Sequence, residues 1–178
     1  MVRASSINYS GGHNDSPFWD ISAFNLIKNS IVYAAATKGY YTLKDIYEVM
    51  VLSGSVDITE KLGEVLNQKK ENDEKTSYFN QEERFNIECS LKYFKEEYNN
   101  MDNKIKTSIL ATATSFLNQF QEYRASKVFC PESEARTITT IDKIIDNGEI
   151  LLFDIESPSL ARSMGTILKL HYQQGIIE

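Results

Sequence analysis

The chain of 178 residues holds two cysteines and two histidines, and each scarcity excludes a class of function. Cys89 and Cys130 match neither a zinc-ligand spacing nor a disulfide framework, which suits a reducing cytoplasm and predicts two inert thiols. His13 and His171 are far apart with no third ligand in phase, so no metal site is expected. No Ser/His/Asp or Cys/His arrangement can be built from spacing, so no catalytic residues are expected. GxxxxGK[ST] occurs nowhere in residues 1–178, so the loop that cradles nucleotide phosphates is missing and no cofactor is expected within the chain. No run approaches the ~20 apolar residues of a membrane span, and MVRASSINYSGG lacks a signal-peptide core. The chain is expected to be soluble, while a longer parent protein can carry an anchor elsewhere. A basic excess is lacking too: 19 Lys+Arg stand against 25 Asp+Glu, a net charge of -6, so no global field attracts nucleic acid.

What is present is an ordinary globular composition, 42% hydrophobic and 25% charged, enough for one domain with a core. Residues 1–15 are polar and read as a flexible connector. Ser16-Pro17 pairs a capping side chain with a first-turn proline and predicts a helix over FWDISAFNLIKNSIVYAAAT. Phe18, Ile21, Leu26 and Val32 form one apolar row, and Trp19, Ala23, Ile27 and Ile31 a second. That helix is therefore expected to be central, ending at Gly39, with Phe18 and Trp19 as core anchors rather than a platform for bases. Tyr33, Tyr40, Tyr41 and Tyr47 are expected at the edge of the core.

Thr42 and Asp45 have capping-box spacing, as do Asp57 and Glu60, and Asn80 and Glu83. Each pair predicts a helix start. The charged stretch at 67–77 predicts a solvated linker or frayed end. In the helix after Asn80, Phe85, Cys89, Tyr93 and Phe94 are expected to form the buried stripe. NKIKTSILATATSFLNQFQEYRASKVF then reads as the longest unbroken helix, with Ile105, Ile109, Ala113, Phe116 and Phe120 on one side, until Pro131. TITTIDKIIDNG predicts a short helix closed by Asn147-Gly148.

A single strand follows. Ile150, Leu151, Leu152, Phe153 and Ile155 are almost continuously apolar, the pattern of a strand buried on both faces in a parallel sheet. Ser157-Pro158 launches a last helix. The chain offers no convincing second strand, although a parallel strand needs neighbours to satisfy its backbone. The strand therefore pairs either outside these residues, with SSINYS near the N-terminus, or with a second copy of the chain.

SPFWDISAFNLIKNSIVYAA (16–35), TLKDIYEVM (42–50), KTSILATATSFLNQF (106–120) and NGEILLFDIESPSLARSMGTILKLHYQQ (147–174), in that order, resemble the TraD/TraG-type coupling ATPases of conjugation and type IV secretion. The resemblance implies an all-α domain inserted into a RecA-like nucleotide-binding domain. Its parent would be a hexameric, DNA-translocating ATPase using ATP and Mg²⁺, anchored in the bacterial inner membrane. The insert would face the cytoplasm, where relaxosome, relaxase or cargo proteins dock. Asp154 and Glu156 inherit no catalytic role, because the family's acidic motif would lie downstream.

The expected fold is thus mainly α: a bundle of about six or seven helices over 16–146, then a strand–helix unit over 147–178 that returns to a RecA-like parent. The expected function is a non-catalytic docking and regulatory module of a coupling ATPase. A direct DNA-binding module and a free-standing helical regulatory protein are the competing readings. Lys104, Lys106, Arg124 and Lys127 lie in the most basic helical pattern and are the candidate contacts to DNA or a partner. Arg162, one turn into the last helix, is the candidate contact to a nucleotide or neighbouring subunit in the parent.

Overall fold

The computed structural model describes residues 17–67, 69–70, 73–77, 79–135, 141–148, 150, 152 and 158–177. The protein is mainly helical and divides into two compact units, one of residues 15–130 and one of residues 1–14 with 131–178.

In the larger unit, α1 spans Pro17–Lys38, 22 residues or about 33 Å of helix. It packs against α2 (Leu43–Ser53), α3 (Thr59–Leu66), α4 (Gln81–Lys92) and α5 (Asn103–Leu117), so it is the element that organises the bundle. Its buried arc is Ser22, Ala23, Leu26, Ser30, Tyr33 and Ala34. Small residues dominate that arc and let neighbouring helices approach closely. The Ser90 hydroxyl of α4 donates to Asn29 Oδ1 at 2.7 Å and links the two helices.

The connections are written in local chemistry. Gly39, at φ +70°, adopts the left-handed conformation that ends α1. Thr42 then caps α2 reciprocally: its backbone N–H donates to Asp45 Oδ2 at 2.7 Å, and the Asp45 N–H donates back to Thr42 Oγ1 at 3.4 Å. Lys38 adds an ion pair to Asp45 and lies 3.8 Å from Glu48. Burial by itself would raise the Asp45 carboxyl, but the bonds from Lys38 and Thr42 prevail and hold it below its usual range. Asn80 and Glu83 form a second complete box at the start of α4, each bond 2.9 Å. The Asp57–Glu60 spacing forms none. Asp57 instead accepts from the Thr59 N–H at 2.9 Å and from Asn99 Nδ2 at 3.0 Å, and α3 starts at Thr59.

Three expectations are corrected within this unit. The charged stretch after α3 holds a short antiparallel hairpin, β1 (Lys69–Lys70) with β2 (Asp73–Ser77), in which Lys69 faces Ser77 and Lys70 faces Asp73. Neither strand has the apolar alternation by which a strand is read from sequence.

The stripe assigned to α4 is rotated. Phe85 is 63% exposed and Cys89 is exposed, while Ile87, Ser90, Tyr93 and Phe94 are buried. Ile87, Ser90 and Phe94 follow at three- and four-residue spacing, so the buried face of α4 is an ordinary helical row turned away from Phe85, and a π-helical turn over Tyr93–Tyr98 follows it. Residues five apart lie about 140° apart on an α-helix, whereas a π turn brings them together. The Asn99 N–H donates to the Phe94 carbonyl at 2.9 Å, and Tyr93, Phe94 and Tyr98 share one buried face.

The long helix after Asp102 is broken. A 3₁₀ turn over Asn118–Gln121 and extended Glu122, with ψ 139°, separate α5 from α6 (Tyr123–Phe129). On a continuous helix Phe120 and Phe129 would point to opposite sides, nine residues being about 180° out of phase. The break puts their rings 5.8 Å apart, edge to face.

In the smaller unit, a 3₁₀ turn at Ser133–Ala135 is followed by α7 (Ile141–Asp146) and α8 (Pro158–Ile177). Gly148, at φ +65°, closes α7 as its Asn147-Gly148 signal predicts. Helix α7 packs on α8, with Ile144, Met164 and Ile167 buried. Most of the expected C-terminal strand lies outside the described residues. Its two described members, Ile150 and Leu152, belong to no helix or strand and are 88% and 87% exposed, contrary to burial on both faces within this chain.

Candidate partner-docking surface

The break at Glu122 separates the four candidate basic contacts, Lys104, Lys106, Arg124 and Lys127, into two pairs. Lys104 is exposed in the first turn of α5, where its backbone N–H donates to the Asp102 cap at 2.8 Å. Lys106 is half-buried: its ammonium donates to the Asn99 carbonyl at 2.8 Å and lies 5.8 Å from the Tyr98 ring centroid. That places it as a clamp on the end of the π turn. Arg124 and Lys127 are exposed on α6, past the other end of α5, which is about 22 Å long. The Lys127 ammonium sits 5.7 Å from the ring of Tyr123, itself 78% exposed. Arg162 is exposed on α8 in the smaller unit.

Residue His13, the SSINYS segment, Asp154, Glu156 and the His171 side chain lie outside the described residues. Among the described residues no group of three or more His, Cys, Asp or Glu side chains is placed to hold a metal ion. Nor is any described helix long and apolar enough to cross a membrane.

Helix α1, expected to be central with Phe18 and Trp19 as core anchors, carries several exposed apolar side chains. Phe18 is 48% exposed, Ile21 59% and Phe24 39%, while Trp19 is half-buried with its ring edge-on to Phe18 at 5.0 Å. Neither ring is thus the core anchor that the two apolar rows suggest. Helix α1 is apolar nearly all round, so periodicity could not say which arc faces water; the packing of α2 to α5 decides it. Towards its C-terminal half, a groove of about 190 Å³ opens between Ile31, Val32 and Ala35 of α1 and Phe79, Glu83 and Ile87 at α4. The Glu83 carboxylate uses Oε2 for its capping bond and brings negative charge to the groove.

Sequence reasoning also missed the setting of Cys130. It lies at the start of α2, where the backbone N–H groups of Lys44 and Leu43 and the Thr42 side chain face its sulfur. Burial outweighs these donors and pushes the thiol up. A thiol held up in this way is the opposite of an activated nucleophile.

No protein-family model, curated protein or solved structure matches the chain.

Proposed function

We propose that the chain is a helical docking and regulatory module of a larger α/β motor, of the TraD/TraG coupling-ATPase type, with no catalysis of its own. The observation that carries this reading is the exposure of Ile150 and Leu152, 88% and 87%, within the apolar run ILLFDI. Two apolar side chains this exposed favour a cover, and a RecA-like parent sheet would supply it. The order of the four matching segments supports the same parent. In this reading the larger unit presents its surface to relaxosome, relaxase or cargo proteins, and ATP with Mg²⁺ is handled by the flanking parent domain. The parent would be a hexamer at the inner membrane, with this module on its cytoplasmic face.

An immunoblot of source-cell fractions with an antibody against this chain tests the reading. A membrane-associated band several times larger than 20.3 kDa supports it; a free band near 20.3 kDa rejects the coupling-protein parent.

A second reading, direct contact with DNA, is favoured by one feature: the exposed Tyr123 ring beside Lys127 and Arg124. Such a pairing offers a base a stacking face and its phosphate a cation. It predicts binding of a single-stranded oligonucleotide that weakens steeply with salt and is lost in Tyr123→Ala. The same titration showing no binding at low salt removes this reading.

A further inference from the structure

Along α1, Ile21, Phe24, Lys28, Ile31 and Ala35 recur at alternating intervals of three and four residues. That is the spacing of a coiled-coil seam, which places all five on one side of the helix. Four of them, Ile21, Phe24, Lys28 and Ala35, are exposed and Ile31 is half-buried, so the seam is open. The only charge in it is Lys28, which forms no ion pair among the described residues. At its far end the seam runs into the α1–α4 groove, where Glu83 lies.

We propose that this seam docks an amphipathic helix of a partner protein, one with an acidic residue at the middle of its apolar stripe and a basic residue in its last turn. The acid would meet Lys28, the base would meet Glu83, and an aliphatic side chain would enter the groove between them. The partner helix runs parallel to α1, because its basic last turn must reach the groove at the C-terminal half of α1. That basic turn also complements the partner's own helix dipole. A second copy of the chain is a poor occupant. Lys28 is the central member of the stripe, so an in-register symmetric pair, parallel or antiparallel, sets Lys28 against Lys28. A buried charge without an opposite partner is costly and selects against that pairing. The proposal rests on the docking reading only in requiring a protein partner; it does not require the partner to be a relaxase or the parent to be a motor.

The test uses the full chain with labelled Ile and Ala methyl groups and a synthetic peptide of about 18 residues, long enough to cover the seam as a helix. The peptide carries Leu at both seam positions, Glu at the central one and Lys in the last turn; a second peptide has the two charges exchanged. The first peptide should shift the methyl signals of Ile21, Ile31 and Ala35, and the exchanged peptide should bind about tenfold more weakly. Lys28→Glu, at an exposed position, should reverse that preference with the circular dichroism unchanged. Glu83→Gln keeps the capping bond and should weaken only the first peptide. Shifts confined to other methyl groups, or a preference that Lys28→Glu leaves intact, would overturn the proposal. So would sedimentation of the free chain as a dimer whose contacts map to the same methyl groups. A small soluble band in the blot described above would reject the motor parent and leave the peptide result standing. A large membrane band with no peptide binding would keep the motor and remove α1 as its dock.

Discussion

The chain leaves α-helical geometry twice within the larger unit, and the two departures solve the same problem in opposite ways. At Tyr93–Tyr98 the helix widens into a π turn. At Asn118–Glu122 it tightens into a 3₁₀ turn and then breaks. The first brings Tyr93 and Tyr98 into a stacked pair at 6.0 Å, with Phe94 edge-on to Tyr93 at 5.2 Å. The second brings Phe129 back to Phe120, which also meets Phe116 at 5.6 Å. In each case aromatic burial decides the backbone, at the expense of regular i→i−4 hydrogen bonds. A π turn absorbs a spacing error of one residue, whereas the half-turn phase error between Phe120 and Phe129 is removed by breaking the helix.

The largest expected effect separates the two clusters by depth. Phe94 is fully buried and Phe129 only half so. Phe94→Ala should cost about 3–5 kcal/mol of stability in urea unfolding, and Phe129→Ala about 1–2 kcal/mol. Equal costs would mean that the two interruptions carry similar weight. A second pair of variants tests the mechanism directly. Deleting exposed Glu96 makes Tyr93 and Tyr98 four residues apart, so an ordinary α-helix aligns them; stability should change by about 1 kcal/mol or less. Deleting Asn118 instead rotates Phe120 out of phase with α5 and should cost about 3 kcal/mol. If the Glu96 deletion is the more damaging, the π turn is required for something other than aromatic alignment.

These interruptions also mark where the sequence stopped being legible. Helix starts at Thr42 and Asn80 and helix ends at Gly39 and Gly148 follow from residues within a turn of one another, so local pattern suffices. The mainly helical class follows from the same signals. The rotated face of α4 does not, because Phe85, Cys89 and Tyr93 make one helical row and Ile87, Ser90 and Phe94 another, and only packing decides which is buried. Similarly, nothing within a turn of Glu122 announces a break; the pull comes from Phe129, seven residues on. For the candidate surface, the three-and-four spacing of Ile21, Phe24, Lys28, Ile31 and Ala35 was visible throughout. It cuts across the two apolar rows read from the sequence, sharing Ile21 with one and Ile31 with the other, and only packing shows that this arc is left open. Lys104 and Lys106 lie on a different helix from Arg124 and Lys127 for the same reason that the long helix is broken.

Alkaline pH should act on one cluster and not the other, since the phenylalanine group has nothing to titrate. Burial raises the Tyr93 hydroxyl above its usual value, with the neighbouring Tyr98 and Glu97 adding to it; burial also raises Tyr98, partly offset by the Ser53 hydroxyl. A group held above its unfolded pKa contributes stability that is complete below that pKa, near 10, and lost as pH rises beyond it. Unfolding free energy should therefore begin to fall near pH 10. Tyr93→Phe should flatten that fall more than Tyr98→Phe, whereas identical pH profiles for both variants and the parent chain would place the alkaline loss elsewhere.

The smallest effect is also the most local, because each interruption has its own thiol. Cys89 lies one turn before the π turn and is exposed, while Cys130 follows Phe129 at the start of α2, where burial pushes its thiol up. A raised thiol pKa means less thiolate at pH 8, so Cys130 should react with a maleimide more slowly than Cys89 on both grounds, access and ionisation. The two rates then report the two regions separately. Deleting Asn118 frees Phe129 from Phe120 and should speed Cys130 labelling while leaving Cys89 unchanged. Deleting Glu96 should leave Cys130 unchanged. If both deletions speed both thiols alike, the two interruptions unfold as one cooperative unit, and the division of labour between them is confined to the folded state.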